Sequence, residues 1–320
     1  MKAIGLKKYG SLNELAPMEL PVPEPRKGEV RVRVHASALN PADYKVSLGE
    51  VKFLHARNFP MVLGYDFSGV VETTGPDTDH AVGDAVFGFL PYGPFNRQGA
   101  FAEALIARAR EIALKPAGVS HHQAAAAATP CLTALQAIRD VGKLSQAGGL
   151  VLITGVSGGV GSVAVSVARK LGAKVVATGS GRGLELARSL GAMNVIDRKQ
   201  QQDIFSSQRG PFDVVFDASA AYRWSRCKGQ LKPGGMYVTT LPSLSILTDK
   251  IKSIMAPTGT AFVNVKSKPS DLQLLAGWLE AGLSVTVDSV IPAREIAAGL
   301  AKLQRGEVVG RVVVDVLGGF

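Results

Sequence analysis

A glycine-rich segment between a predicted strand and a predicted helix holds the residues with the clearest chemical potential. Residues 151–161 read VLITGVSGGVG and contain Gly155, Gly158 and Gly161. Glycines at such a turn let the backbone approach a pyrophosphate, and the following helix offers free N–H groups and a positive dipole. The spacing GxxGxxG is a weak signal alone, since GxGxxG is the usual form. In its strand-to-helix context it predicts a nucleotide-binding loop.

The end of the next strand indicates which nucleotide is bound. Residues 174–183 read KVVATGSGRG. A site that prefers NAD usually has Asp or Glu here to bind the ribose 2′-hydroxyl, and this stretch has neither. An acid would repel a 2′-phosphate, whereas Arg182 can form charge-assisted hydrogen bonds with it. The pattern predicts NADPH, and the alternative is that Arg182 is a solvated loop residue.

Asp66 is an acid in an unexpected place. It lies between Gly64 and Gly69 in the largely apolar run PMVLGYDFSGVVETTG, residues 60–75. A carboxylate in such a run is costly to bury unless something pairs with it. Asp66 is either a turn aspartate that caps its own backbone or an acid kept for a function.

The pattern of elements predicts two kinds of domain. Residues 1–118 alternate short strand-like runs with Pro and Gly, which favours a curled, largely antiparallel β unit. A helix follows Ser120, a plausible N-cap, and its first turn would hold His121 and His122 at the surface. Strands and helices then alternate, which predicts a parallel sheet wrapped by helices. The final strand-helix-strand pattern is expected to pair back with the N-terminal unit.

The composition fits a globular α/β protein with two domains. The chain has 320 residues, 46% of them hydrophobic and 19% charged. Its two cysteines, Cys131 and Cys227, are too few for a disulfide framework and suit a reducing cytoplasm. The segment MKAIGLKKYG has no apolar signal region and no 18-residue apolar run follows, so a soluble intracellular protein is expected. The net charge of +10 is spread along the chain without aromatic interleaving, which disfavours nucleic-acid binding.

Several motifs together resemble one family over essentially the whole chain. They are NPADYK (40–45), FPMVLGYDFSGVV (59–71), GAFAEA (99–104), TALQA (133–137), GVSGGVG (155–161) and SKPSDLQLL (267–275). The chain resembles the zinc-independent quinone oxidoreductases of the medium-chain dehydrogenase/reductase superfamily, and within them the alkenal/enone reductases. The resemblance implies a GroES-like catalytic domain over 1–118, a doubly wound Rossmann domain over 119–283, and a return to the catalytic domain over 284–320. It also favours a homodimer.

The resemblance bears on the role of Asp66. Zinc-dependent relatives have Gly-His-Glu where this chain has Gly64, Tyr65 and Asp66, and a cysteine in place of Asn40. Catalytic zinc needs three protein ligands, usually His, Cys or carboxylate, so no metal is expected. Asp66 would then give polar support, by accepting hydrogen bonds from the loop that contains Asn40 and Lys45 or by organising water.

The resemblance also implies roles for other residues. Asn40, Tyr44 and Lys45 would line the substrate cleft, where Lys45, or alternatively Tyr44, would stabilise an enolate oxygen while hydride is transferred. Lys45 could instead lie on the surface or bind only the cofactor, and Tyr44 could simply wall the pocket. The expected cofactor contacts are Thr133, Gly155, Ser157, Gly158, Gly159 and Val160, with Ser180, Arg182 and Arg198 at the 2′-phosphate and the backbones of Leu241 and Phe262 at the nicotinamide.

These features leave three functions open. The first is an NADPH-dependent reductase of α,β-unsaturated carbonyls or quinones. The second is an enoyl-thioester reductase, which shares the fold but needs a channel for a long acyl carrier. The third is a catalytically quiet NADPH-binding protein. The substrate depends on variable loops expected at 45–60 and 91–99, which sequence alone does not interpret.

Overall fold

The chain divides into two compact units in the computed structural model. The structure describes residues 1–52, 59–91, 98–144, 148–201, 203–205 and 210–320. The first unit contains Met1–Thr129 and Lys266–Phe320, and the second contains Pro130–Val265. The loops predicted to wall the substrate pocket, 45–60 and 91–99, lie partly outside the described residues.

The first unit is built on two sheets. One sheet has the order β2-β1-β4, and the other has the order β15-β16-β3-β5-β6-β8, with β7 also paired to β3. All of these pairings are antiparallel except that of β15 with β16. The strands are β1 (Lys2–Leu6), β2 (Leu15–Glu19), β3 (Glu29–Ala38), β4 (Met61–Val62), β5 (Asp66–Thr74), β6 (Ala85–Phe89), β7 (Ala104–Arg108), β8 (Ile112–Leu114), β15 (Val287–Pro292) and β16 (Arg311–Asp315).

Strand β3 shows why this sheet forms. Its sequence EVRVRVHASA alternates apolar and polar residues, and Val30, Val32 and Val34 are buried on one face. Towards its end both faces are buried, and there β3 pairs with β5 along one edge and with β16 along the other. Ala38 is opposite Asp66 in this register. The first residues of β5 and β16 are thereby brought to the two sides of the end of β3.

Helices complete the first unit. They are α1 (Pro41–Ser47), the first part of α2 (His121–Leu135), α7 (Pro269–Glu280) and α8 (Ile296–Gln304). Ser120 caps α2 as predicted, since its hydroxyl accepts a hydrogen bond from the Gln123 N–H. The alanine run 124–128 is helical and fully buried. Small side chains there allow α2 to pack closely on its neighbours.

The second unit is a parallel sheet with helices, as the alternating pattern predicted. Its strand order is β11-β10-β9-β12-β13-β14, so the order of connection reverses between β9 and β12. The strands are β9 (Leu150–Thr154), β10 (Lys174–Gly179), β11 (Asn194–Asp197), β12 (Phe212–Asp217), β13 (Leu231–Thr239) and β14 (Gly259–Phe262), and the helices are α3 (Gly159–Lys170), α4 (Arg182–Ser189), α5 (Trp224–Cys227) and α6 (Leu244–Ser253). A π-helical segment, Gln136–Val141, continues α2.

The predicted fold class is confirmed, because a doubly wound parallel sheet accompanies a mainly antiparallel domain. The compact units divide at residues 129 and 265, whereas the predicted domain boundaries at 118 and 283 stay a prediction. Helix α7 belongs to the first unit because it packs on β8, and the Ser267 hydroxyl just before it donates to the Glu111 carbonyl at 2.8 Å. Across the described residues, the helices are too short or too polar to span a membrane.

Candidate functional site

Asp66 belongs to a buried polar cluster in the first unit. Its side chain is fully buried at the start of β5 and forms an ion pair with Arg311, the first residue of β16. Asn40 links the two, since its amide donates to the Asp66 carboxylate at 3.0 Å and its oxygen accepts from the Arg311 guanidinium at 2.9 Å. Each buried charge therefore has a partner, as burial requires.

The second carboxylate oxygen of Asp66 anchors helix α2. It accepts a hydrogen bond of 2.7 Å from the Thr129 N–H. Asp66 thus connects β5, β16, helix α2 and the residue before α1. This is a structural role for Asp66 beyond capping its own turn, and the bond from Asn40 is of the kind that the sequence hypothesis expected.

Sequence reasoning missed Arg311. It is 3% exposed at the head of β16, RVVVD, where three valines follow it. A lone cation at the start of an apolar strand is a weak signal, because strand ends often carry charged residues. Its pairing with Asp66 becomes visible only when β3 brings β5 and β16 to its two sides.

Helix α1 positions Tyr44 and Lys45 and is held by Asp43. The fully buried Asp43 carboxylate accepts a hydrogen bond from the Asn40 N–H at 2.7 Å, which is part of a capping box at the start of α1. It also accepts from the Gly64 N–H at 3.0 Å, and this bond ties α1 to the segment before β5. Burial raises the pKa of Asp43 to about 7, although the two N–H bonds favour the carboxylate and lower the pKa in part. Burial also raises the pKa of Tyr44. Tyr44 and Lys45 are partly exposed on this fixed helix.

A histidine pair lies beside the start of α2. The rings of His35 and His121 are 4.3 Å apart, and His121 Nδ1 is 2.8 Å from the Ser68 hydroxyl. Burial lowers the pKa of His121 to about 4, with smaller contributions from His35, Lys115 and His122. His121 is only partly exposed, because strand β5 places Ser68 beneath the first turn of the helix.

The glycine segment of the second unit has the shape that a pyrophosphate needs. Gly155 has a φ of 71°, and a Cβ on Gly161 would lie 2.2 Å from the Gly155 carbonyl oxygen. Gly158 is the N-cap of α3, which starts at Gly159, and a Cβ on Gly158 would meet only this same carbonyl, at 3.4 Å. The loop therefore leaves room above the helix N-terminus for an anionic group.

The loops after β10 and β11 bring the predicted 2′-phosphate residues to neighbouring strand ends. Ser180 follows β10, Arg182 begins α4, and Arg198 follows β11 with its N–H bonded to the Gly179 carbonyl at 3.0 Å. Both arginines are exposed. Ser157 packs against this turn, since a Cβ on Gly183 would lie 1.9 Å from the Ser157 hydroxyl.

The other predicted cofactor residues occupy different places in the second unit. Leu241 and Phe262 are exposed at or just beyond the carboxyl ends of β13 and β14. Val160 is in the first turn of α3, and Thr133 is buried in α2. Parallel strands bind ligands at their carboxyl ends, where all of these strand-end residues lie.

Comparison with known proteins gives the family. The model of the Alcohol dehydrogenase GroES-like domain matches residues 26–117, and that of Zinc-binding dehydrogenase matches residues 190–314. A 2-methylene-furan-3-one reductase from Solanum lycopersicum is 32% identical, covering 98% of this chain and 79% of the relative. The chain belongs to the quinone oxidoreductase family of medium-chain dehydrogenases/reductases. Family membership makes it an oxidoreductase.

Two further members of the family show the extent of the similarity. A chloroplastic NADPH-dependent alkenal/one oxidoreductase from Arabidopsis thaliana is 31% identical, over 98% of this chain and 79% of the relative. The solved quinone oxidoreductase from Coxiella burnetii is 28% identical, with a TM-score of 0.88 over 99% of each chain. The predicted quinone oxidoreductase resemblance is confirmed along the whole chain.

Proposed function

We propose that the chain is an NADPH-dependent reductase that transfers hydride to α,β-unsaturated carbonyls or quinones without zinc. The observation that carries the proposal is the glycine cradle at Gly155–Gly161, followed by the arginine-bearing ends of β10 and β11. Arg182 and Arg198 suit a 2′-phosphate, and neither Ser180 nor Gly181 would repel it. The relative from Arabidopsis, which is named for NADPH and alkenals, supports the same combination.

The residues do not suit the zinc that one family model carries in its description. At the positions of the relatives' zinc ligands, Asn40 offers an amide, Tyr65 replaces histidine, and Asp66 is already paired with Arg311. The Arg311 guanidinium binds both Asn40 and Asp66, so a metal ion at this position would place a second positive charge beside it. In the described ranges, no three His, Cys, Asp or Glu residues lie close enough to hold a metal ion. In the proposed reaction, a side chain and not a metal therefore stabilises the negative charge that develops on the substrate oxygen.

The proposed mechanism assigns one task to each group of residues. A nicotinamide cofactor, when bound, supplies the hydride. Lys45 donates to the oxygen of the unsaturated carbonyl and stabilises the enolate as charge develops there, with Tyr44 as the alternative donor. Asp43 holds α1 through its capping box and so keeps both donors in place. Asn40 and Asp66 give this helix a fixed start, since Asp66 binds the Asn40 side chain.

An assay of NADPH oxidation tests the proposal. We expect turnover with acrolein or 1,4-benzoquinone and little with crotonyl-CoA, both before and after dialysis against EDTA. Faster turnover of crotonyl-CoA would favour an enoyl-thioester reductase. Tight NADPH binding without turnover of any of the three would favour a quiet binding protein. Activity that disappears on chelation and returns with zinc would contradict the zinc-free mechanism.

The assembly and location of the protein are part of the same proposal. We expect a homodimer, which sedimentation would detect, and a cytoplasmic enzyme. Relatives carry mitochondrial and chloroplastic names, so the expected location is tested directly by fractionation of the source cell.

A further inference from the structure

Asp217 is a buried acid at the point where the parallel sheet reverses its order. It is the last residue of β12, and its side chain is fully buried. Strand β12 lies beside β9, which leads into the glycine cradle, and these two strands flank the reversal in strand order. Dinucleotides bind outside the carboxyl ends of the strands at this point of a doubly wound sheet.

Asp217 collects hydrogen bonds from three different segments. One carboxylate oxygen accepts from the hydroxyls of Thr154 at 2.5 Å and Ser219 at 2.7 Å. The other accepts from the Tyr222 N–H at 2.7 Å and lies 2.9 Å from the Tyr237 hydroxyl, which also has the Tyr222 carbonyl as an acceptor at 2.7 Å. A single carboxylate therefore joins the end of β9, the turn after β12 and strand β13.

This network reaches the glycine cradle directly. Thr154 immediately precedes Gly155, and a Cβ on Gly155 would lie 2.8 Å from the Cβ of Ser219. The turn after β12 therefore packs against the first residue of the cradle. Asp217 holds both sides of this contact, since it binds the side chains of Thr154 and Ser219.

A doubly wound sheet binds the two halves of a dinucleotide differently. The half of the sheet containing β9, β10 and β11 takes one mononucleotide, and the half containing β12, β13 and β14 takes the other. The predicted 2′-phosphate residues belong to the first half. The turn held by Asp217 belongs to the second half, on the side expected for the nicotinamide.

We propose that Asp217 is a positioning residue that fixes the turn of residues 218–222 against the glycine cradle and so shapes the binding site for the nicotinamide half of the cofactor. The inference rests on the proposed NADPH-dependent function. It follows that loss of the carboxylate affects the whole dinucleotide more than its adenosine half. An amide at this position either turns its NH₂ group towards the Tyr222 N–H, which cannot accept, or requires the Thr154 and Ser219 hydroxyls to accept instead of donate.

The test compares Asp217→Asn with Asp213→Asn. Asp213 lies at the amino end of the same strand and also accepts a backbone bond, from Leu150 at 2.7 Å, and a side-chain bond, from Lys232 at 2.8 Å. Dissociation constants for NADPH and for adenosine 2′,5′-bisphosphate are measured by calorimetry. We expect Asp217→Asn to weaken NADPH about tenfold or more and the bisphosphate less than about twofold, with neither changed by Asp213→Asn.

The outcomes separate this inference from the proposed function. Unchanged NADPH affinity in folded Asp217→Asn, or equal loss for both ligands, would overturn the positioning role alone. Failure of the wild-type protein to bind NADPH would overturn the proposed function and the inference with it. If Asp217→Asn does not fold, Ser219→Ala provides the same comparison, because it removes one donor to Asp217 and keeps the Cβ that lies beside Gly155. Unequal loss in that variant supports the inference, and equal or no loss rejects it.

Discussion

Arg311 and Asp66 lie 245 residues apart in the chain and form an ion pair with both side chains buried. Asn40 bonds to both partners. Pairing of this kind offsets the desolvation of each charge, and removal of either partner leaves the other buried without compensation. The ion pair thereby holds the Asn40 side chain, just before α1, in a fixed position.

Replacing one partner of this pair should destabilise the protein strongly. We expect Arg311→Met or Asp66→Asn to cost about 3–5 kcal/mol in the free energy of unfolding, measured in urea. The double variant should lose less than the sum of the two, because it leaves no unpaired charge. Arg305→Met, which breaks an exposed pair with Glu307, is the control and should change stability far less. Additive losses would show that Arg311 and Asp66 act independently.

Lys45 should matter for turnover more than for cofactor binding. We expect Lys45→Met to lower kcat for enone reduction by roughly 10²-fold while the NADPH dissociation constant stays nearly constant, because the donor acts mainly in the transition state. Lys8→Met, at an exposed lysine paired with Glu14, is the control for loss of one surface charge. If only the NADPH dissociation constant rises, Lys45 is a cofactor ligand and the donor must be sought elsewhere, with Tyr44 next.

Arg182 should set the preference for NADPH over NADH. A hydrogen bond to a charged group contributes about 1.5–3 kcal/mol, so Arg182→Ala should weaken NADPH binding by about 10 to 150-fold and leave NADH almost unaffected. Ser180 and Arg198 retain part of the selectivity, which favours the lower end. Arg188→Ala, in the last turn of the same helix, is the matched control. Equal loss for both cofactors would mean that Arg182 supports the fold of the loop.

The histidine pair should make stability depend on pH. The folded state lowers the pKa of His121 from 6.5 to about 4, so the unfolded chain binds more protons in this interval. The contribution of His121 is complete above pH 6.5 and is lost as the pH falls towards 4. We expect acidification over this range to lower the urea unfolding midpoint of the wild type relative to that of His121→Gln. Parallel curves for the two proteins would assign the acid sensitivity to other groups.

Asp43 makes stability change with pH in the opposite direction, so its effect must be separated from that of His121. Its pKa rises from 3.8 to about 7 on folding, so its contribution is present at low pH and is lost as the pH rises through this range. The two groups therefore partly cancel in the wild type. The difference between wild type and His121→Gln isolates the histidine, because Asp43 is common to both.

Local patterns in the sequence determined the class of the fold and the nucleotide loop. The glycines at 155, 158 and 161 can be interpreted without knowing the fold, because a strand, a tight turn and a helix follow one another within a few residues. The alternation of β3 and the strand-helix series after residue 150 likewise depend on neighbours in the chain. The strand end at 174–183 likewise indicated Arg182, and the family motifs added the expected position of Lys45. The roles of both residues stay predictions.

Only the tertiary structure decided which distant polar residues share a buried environment. Asp66 meets Arg311 because β3 pairs with β5 on one side and β16 on the other, and nothing near either residue encodes that register. Asp217 meets Thr154, 63 residues away, because β12 lies beside β9. His121 is partly buried because β5 brings Ser68 beneath it. The reason is physical: a buried charge or imidazole is tolerable only with its partner, and chain topology, not local sequence, supplies the partner.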